Sequence, residues 1–134
     1  MARAVQALAV HGFPVKITPP VEKFLRGFAA VQQFMPEADC AGLLDASRCA
    51  AVLERIADPV LRRIIAALVK NTAVPTLIAG GSKTNVIPGE CSCEVDCRIL
   101  PGETPEGFKK TLAHILDAHG CGDYSIEMSG SLSS

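Results

Sequence analysis

The sequence predicts an α+β fold, with helices gathered in the first half and strands in the second. Three observations predict it. Up to Asn71, apolar residues recur at helical spacing in one segment after another. From Cys91 to Ile99 the side chains alternate between apolar and polar, as on a strand. Between these, Thr72 to Glu103 turns β-rich and is broken by Gly80-Gly81. A chain of 134 residues is long enough for one domain with a genuine core and short for two. It reads as a helical part over 1–71, a strand–strand–helix–strand part over 72–129 and a polar tail over 130–134.

Val5, Leu8 and Ala9 share one face of a short helix from Ala2 to His11, stopped by Gly12 and Pro14. Phe13 to Thr18 is extended. Pro19-Pro20 opens a helix to about Gln33, because prolines are tolerated where the first N–H groups lack intrahelical partners. Val21, Phe24, Leu25 and Phe28 point inward from it. Met35 to Asp45, with Pro36 and Gly42, reads as a looser connection. Asp45 or Ser47 caps a helix to about Ala57 that buries Val52, Leu53 and Ile56. Asp58-Pro59 restarts the helical pattern, and Val60, Leu61, Ile64, Ile65 and Leu68 form a stripe suited to a core or an interface.

Thr72 to Ile78 reads as a strand with Pro75 at an edge position or bulge. After the glycine turn, Asn85 stands at the start of a second strand and Arg98 near its end. Cys91, Cys93, Val95, Cys97 and Ile99 form the core face of that strand; Ser92, Glu94, Asp96 and Arg98 form the polar face. Thr104-Pro105-Glu106 starts a helix ended by Gly120. Tyr124, Ile126 and Met128 then alternate with Ser125, Glu127 and Ser129 in a final strand. The order is a split βαβ arrangement without its first strand: a ferredoxin-like antiparallel sheet with helices on one face, and a helical insertion before the central hairpin.

Composition excludes several function classes. Apolar residues at 49% and a net charge of -1 place the chain away from disorder. No basic stripe or aromatic platform suits nucleic acid. No apolar run is long enough for a membrane span, and Gln6 interrupts the only segment resembling a signal peptide. A chain with so much aliphatic core does not need disulfides, so its six cysteines read as reduced thiols of a cytoplasmic protein.

Cys91, Cys93 and Cys97 are the tempting metal cluster, but an extended backbone keeps the outer two too far apart to share one ion. His114 and His119 lie five apart on a helix and diverge by about 140°, and His11 sits at a helix end. GGSK lacks P-loop spacing. Asn85 and Arg98 remain: an amide after a turn suits a carbonyl or developing oxyanion, and a guanidinium fork suits a carboxylate. A surface ion pair of Arg98 with Asp96 or Glu94 is the competing reading.

T-x-x-P-T-x-x-x-G-G-x-x-x-N-V-I-P-G-E followed by D-C-R-x-L-P-G resembles the lid or dimerisation domain of the M20 metallopeptidase family, over Thr72 to Gly102. ARAVQAL and FPVKITPPVEKFL resemble the first lid helix and the segment after it. The resemblance implies that Asn85 holds a substrate carbonyl and its tetrahedral oxygen, and that Arg98 binds a substrate carboxylate. It also implies a homodimer and a peptide or N-acyl amino acid substrate, with two zinc ions in a catalytic domain that this chain does not resemble. The lid's opening strand, with its Gly-x-His-Ser motif, has no counterpart here. The expectation is therefore a lid domain beginning just after that strand, with no catalytic or metal-binding residue of its own. The alternative is a stand-alone, non-catalytic interaction module of the same fold.

Overall fold

A computed structural model describes residues 1–32 and 36–129. In chain order it has α1 (Ala2–Val10), α2 (Pro19–Gln32), α3 (Glu37–Leu43), α4 (Ala46–Leu53), α5 (Pro59–Leu68), β1 (Thr72–Gly80), β2 (Cys91–Arg98) and α6 (Pro105–Ala118). The end of the expected helix at Gln33, Met35 and the tail from 130 lie outside the described residues. The elements fall into two compact units. One comprises Met1–Gly12, Thr72–Arg98 and the chain from Thr104; the other comprises Phe13–Asn71 and Ile99–Glu103.

The first unit is built on an antiparallel ladder. Thr72 pairs with Arg98, Pro75 with Val95, Leu77 with Glu94 and Gly80 with Cys91. The register shifts between Pro75 and Leu77, leaving Thr76 as the extra residue of a bulge. Its hydroxyl donates to the Glu94 carbonyl at 3.3 Å. Proline has no N–H for the ladder, and a bulge beside it absorbs the interruption. Helix α1 packs against β1 and α6. Phe108, Leu112, Ile115 and Leu116 are buried at the three- and four-residue spacing of one helix face.

Both ends of α6 are closed by local chemistry. The Thr104 side chain accepts from the Gly107 N–H. At the far end, the Cys121 N–H reaches the Leu116 carbonyl at 3.0 Å and the Gly120 N–H reaches Asp117 at 2.9 Å. That is a Schellman motif, with Gly120 at φ 65° in the left-handed region glycine tolerates.

The α+β class holds, but the sheet has two strands among the described residues. The expected final strand over 124–128 is irregular. Alternation gives a strand only if a neighbouring strand takes up the backbone groups. Here the Tyr124 hydroxyl donates to Asp117 Oδ1 at 2.6 Å and lies 3.0 Å from the Ala113 carbonyl oxygen, which ties the segment to α6 instead.

The second unit is helical. Val21, Leu25, Leu43, Cys49, Val52, Leu53, Ile56, Ile65 and Val69 form its core, with Val15, Ile17 and Leu61 packed against it. The carboxylate of Asp45 accepts from the Ser47 N–H, and that of Asp58 accepts from the Val60 and Leu61 N–H groups, capping α4 and α5. Helix α4 ends at Leu53, short of the expected Ala57, yet Ile56 is still buried. The connection expected before Asp45 contains α3. Gly42, which reads as a loop signal, sits where a Cβ would stand 2.7 Å from Val52 Cγ2. Its lack of a side chain serves a close approach of α3 to α4. The buried Asp39 on α3 is paired with Arg55 at 2.9 Å.

The short segment Ile99–Glu103 is held into this unit by a polar clasp. Glu103 accepts from Lys16 Nζ and from Asn71 Nδ2, the latter at 2.6 Å. The other amide atom, Asn71 Oδ1, accepts from the Leu100 N–H at 2.8 Å. The Thr18 hydroxyl donates to the Pro101 carbonyl at 2.6 Å. Gly102, at φ 89°, lies against the Pro20 ring, where a Cβ would come within 3.2 Å.

The Lys16 and Asn71 hydrogen bonds hold the Glu103 carboxyl below its ordinary range. Its contribution to stability is therefore complete above the unfolded value, about 4.3. It is lost as pH falls through the lower folded value. Glu103→Gln is expected to cost about 1–2 kcal/mol at neutral pH and to flatten the acid limb of a urea-denaturation series. A variant losing stability with the same acid slope as the parent would show that this carboxyl is not coupled to folding.

Candidate functional site

Between the strands, residues 81–90 form a loop that is exposed throughout. The hairpin closes at Gly80 and Cys91, where a Cβ on Gly80 would fall 2.7 Å from Cys91 Cβ. Only glycine allows that approach. Gly81 follows at φ 78°, and the Val86 N–H reaches the Lys83 carbonyl at 3.4 Å. Asn85 sits in this turn with its amide displayed to solvent.

The sequence reading sets Asn85 at the start of the second strand, but β2 begins only at Cys91. The intervening Ile87-Pro88-Gly89 explains the difference. Proline offers no ladder donor and glycine weakens a strand, so pairing stops before reaching the turn.

Arg98 is the last residue of β2, opposite Thr72. Burial alternates along most of the strand: Cys93, Val95, Cys97 and Ile99 are half-buried, while Ser92, Glu94, Asp96 and Arg98 are exposed; Cys91, expected on the core face, is exposed at the loop end of the ladder. Among the described residues no salt bridge joins Arg98 to Glu94 or Asp96. The guanidinium stands at the end of an otherwise acidic strand face. Asn85 and Arg98 belong to one hairpin, but β2, roughly 23 Å long, separates the loop from Arg98. The hairpin displays two separate polar contacts and does not gather them around one small group.

The cysteines and histidines make no cluster. Among the described residues no group of three His, Cys, Asp or Glu side chains is placed to hold a metal ion. Cys49, Cys91, Cys93, Cys97 and Cys121 carry free thiols. Burial, and then the neighbouring Glu94 and Asp96 carboxylates, push the Cys93 and Cys97 thiols up. Burial does the same to Cys49. Raised thiols are poor nucleophiles and poor metal ligands. His114 is exposed on α6, and His119 Nδ1 lies 2.8 Å from the Ile115 carbonyl at the end of that helix. His11 is half-buried at the end of α1.

Sequence reasoning missed the clasp made by Lys16, Asn71 and Glu103. These residues are far apart in the chain, and no local pattern links them. It also missed the exposure of Val86 and Ile87, although Pro88-Gly89 directly after them is a turn signal.

The structure is an α+β domain whose hairpin displays the exposed side chains of Asn85 and Arg98. Comparison with known families gives its place. The model of the M20 peptidase dimerisation domain matches residues 1–122, and the chain belongs to that family. Similar proteins include succinyl-diaminopimelate desuccinylases. That of Bordetella avium (strain 197N) is 37% identical over 54 residues, 40% of this chain and 14% of that protein. That of Ralstonia nicotianae (strain ATCC BAA-1114 / GMI1000) is 45% identical over 47 residues, 35% of this chain and 12% of that protein. That of Ralstonia pickettii (strain 12J) is 40% identical over 48 residues, 36% of this chain and 12% of that protein. The match thus spans 12–14% of the length of these relatives. No solved structure matches the chain significantly. No helix among the described residues is long and apolar enough to cross a membrane.

The thiol environments order the cysteines by reactivity. Under neutral, native conditions Cys91, exposed at the head of β2, is expected to be alkylated by iodoacetamide ahead of Cys93 and Cys97. Cys49, fully buried, should react only after denaturant is added. Peptide mass spectrometry over time reads that order. Modification of Cys97 before Cys91 would contradict the rise in burial from the loop end of β2 toward Arg98.

Proposed function

We propose that this chain is the lid and dimerisation domain of an M20-type hydrolase that cleaves an amide near a free carboxylate. Membership of the peptidase dimerisation family over residues 1–122 carries the reading. In it, Arg98 binds the substrate carboxylate with its planar fork, and Asn85 donates from its side-chain amide to the substrate carbonyl and the oxyanion that develops there. Both side chains are exposed, and Arg98 is not engaged by the acids beside it. The relatives' name points to an N-succinyl amino acid as substrate. A succinyl group ends in a free carboxylate, the group that a guanidinium fork binds.

The two zinc ions of such an enzyme find no ligand set among the described residues. Zinc and the reacting water belong in this reading to a catalytic domain elsewhere in a longer protein. The lid contributes orientation and exclusion of water when it closes. A homodimer working on a small peptide or N-acyl amino acid in the cytoplasm completes the reading, and the free thiols accord with that compartment. The rival, a stand-alone interaction module, draws on the two outer strand edges that no other strand among the described residues pairs with.

In a full-length enzyme, Arg98→Ala is expected to raise KM for carboxylate-bearing substrates about 10- to 100-fold, the value of a charge-assisted contact. Asn85→Ala is expected to lower kcat about 100-fold with a small change in KM. An unchanged KM in the arginine variant would remove its assigned role. The isolated chain, supplied with zinc, should hydrolyse no N-succinyl or N-acetyl amino acid; turnover by it would overturn the division of labour.

A further inference from the structure

The chain leaves β2 at Arg98 and enters a tight turn at Leu100. The Glu103 N–H closes that turn on the Leu100 carbonyl at 3.0 Å. Pro101 and Gly102 stand at its centre, with Gly102 at φ 89° as a type II turn requires. Leu100 itself is buried. One side chain holds both ends of the turn. Asn71 Oδ1 accepts from the Leu100 N–H at 2.8 Å, and Asn71 Nδ2 donates to Glu103 Oε2 at 2.6 Å. Lys16 Nζ donates to the other carboxylate oxygen, Glu103 Oε1.

The register of the ladder shows what Asn71 replaces. Thr72 faces Arg98 and Pro75 faces Val95, so continued pairing would set Lys70 opposite Leu100. Pairing stops at Thr72 and Arg98 instead, and the Leu100 N–H finds the Asn71 amide in place of a backbone carbonyl. A terminal pair has a neighbour on one side only, and chain ends of that kind open first. Arg98 occupies that terminal pair. Among the described residues no ion pair holds its guanidinium, so the backbone beneath it sets the direction in which the side chain departs. Asn71 directly precedes Thr72, and its hydrogen bonds reach Leu100 and Glu103. One residue thus ties the chain just before the pair to the chain just after it.

We propose that Asn71 is a positioning residue for Arg98, an assignment that rests on the carboxylate role proposed for Arg98 above. Its amide, set by Glu103 and Lys16, takes over where the ladder ends and holds the backbone from which the guanidinium reaches the substrate.

The test is a double-mutant cycle on KM in a full-length enzyme, with an N-succinyl amino acid as substrate. Asn71→Ala is expected to raise KM about 3- to 10-fold, the value of one neutral hydrogen bond, with kcat unchanged. In an Arg98→Ala background the same change should leave KM where the arginine variant alone puts it, because no guanidinium remains to be positioned. Asn71→Asp sets two carboxylates against each other and should raise KM as well. Asn71→Asp with Glu103→Gln restores the pair with donor and acceptor exchanged, and should return KM to within about two-fold of the parent. Effects of Asn71→Ala and Arg98→Ala that simply add, or a loss in kcat with KM unmoved, would overturn the positioning role. So would an exchanged pair that fails to restore KM. An unchanged KM in Arg98→Ala would instead remove the carboxylate contact itself, and the positioning role with it. Circular dichroism of each variant separates these outcomes from a lost fold, and the exchanged pair decides the matter if Asn71→Ala does not fold.

Discussion

The ladder between Thr72–Gly80 and Cys91–Arg98 is the constraint on which the layout of the hairpin depends. It fixes which β2 side chains meet the helices and which meet solvent, and it sets Asn85 and Arg98 beyond and at its two ends. Its closing step at Gly80 and Cys91 requires glycine, and its middle tolerates a proline only because Thr76 is looped out as a bulge. Two strands give such a ladder little independent stability; α1 packs on β1, and α6 packs on α1 in turn.

The helical unit uses different means. Its core is aliphatic, and its precision comes from polar groups at the ends of elements: Asp45 and Asp58 as caps, and the clasp of Lys16, Asn71 and Glu103 on the Leu100–Glu103 segment. The clasp is economical in groups. Asn71 uses its amide oxygen for a backbone N–H and its amide nitrogen for the carboxylate, so one side chain satisfies two partners that would otherwise need solvent.

The sequence was most legible where the signal was local. Asp58-Pro59 and Thr104-Pro105 marked helix starts because capping needs only neighbours. The alternation from Cys91 to Ile99 was visible because a strand's faces follow from its period. Legibility failed where the deciding partner was distant. Gly42 read as a loop signal because its reason, Val52 on another helix, is not adjacent in the chain. Tyr124 to Met128 read as a strand because alternation cannot reveal whether a neighbouring strand is present. Asn85 was identified as a candidate, but its distance from β2 depended on where Pro88 and Gly89 stopped the ladder. Its suitability for a carbonyl or oxyanion is legible from an amide placed after a turn, and the family resemblance implies the same role.

The bulge at Thr76 divides β1 into two half-strands in opposite phase. Before it, even-numbered residues share the open face with Arg98 and Asp96; after it, odd-numbered residues share that face with Glu94 and Ser92. A change of strand length on one side therefore need not disturb the side-chain facing on the other. The bulge works as an expansion joint: the loop-ward half, with its exposed aliphatic residues and Asn85, can vary in sequence and reach while the half under the helices keeps its register. A hairpin built this way separates the facing of its tip from the facing of the strand ends that α1 packs on.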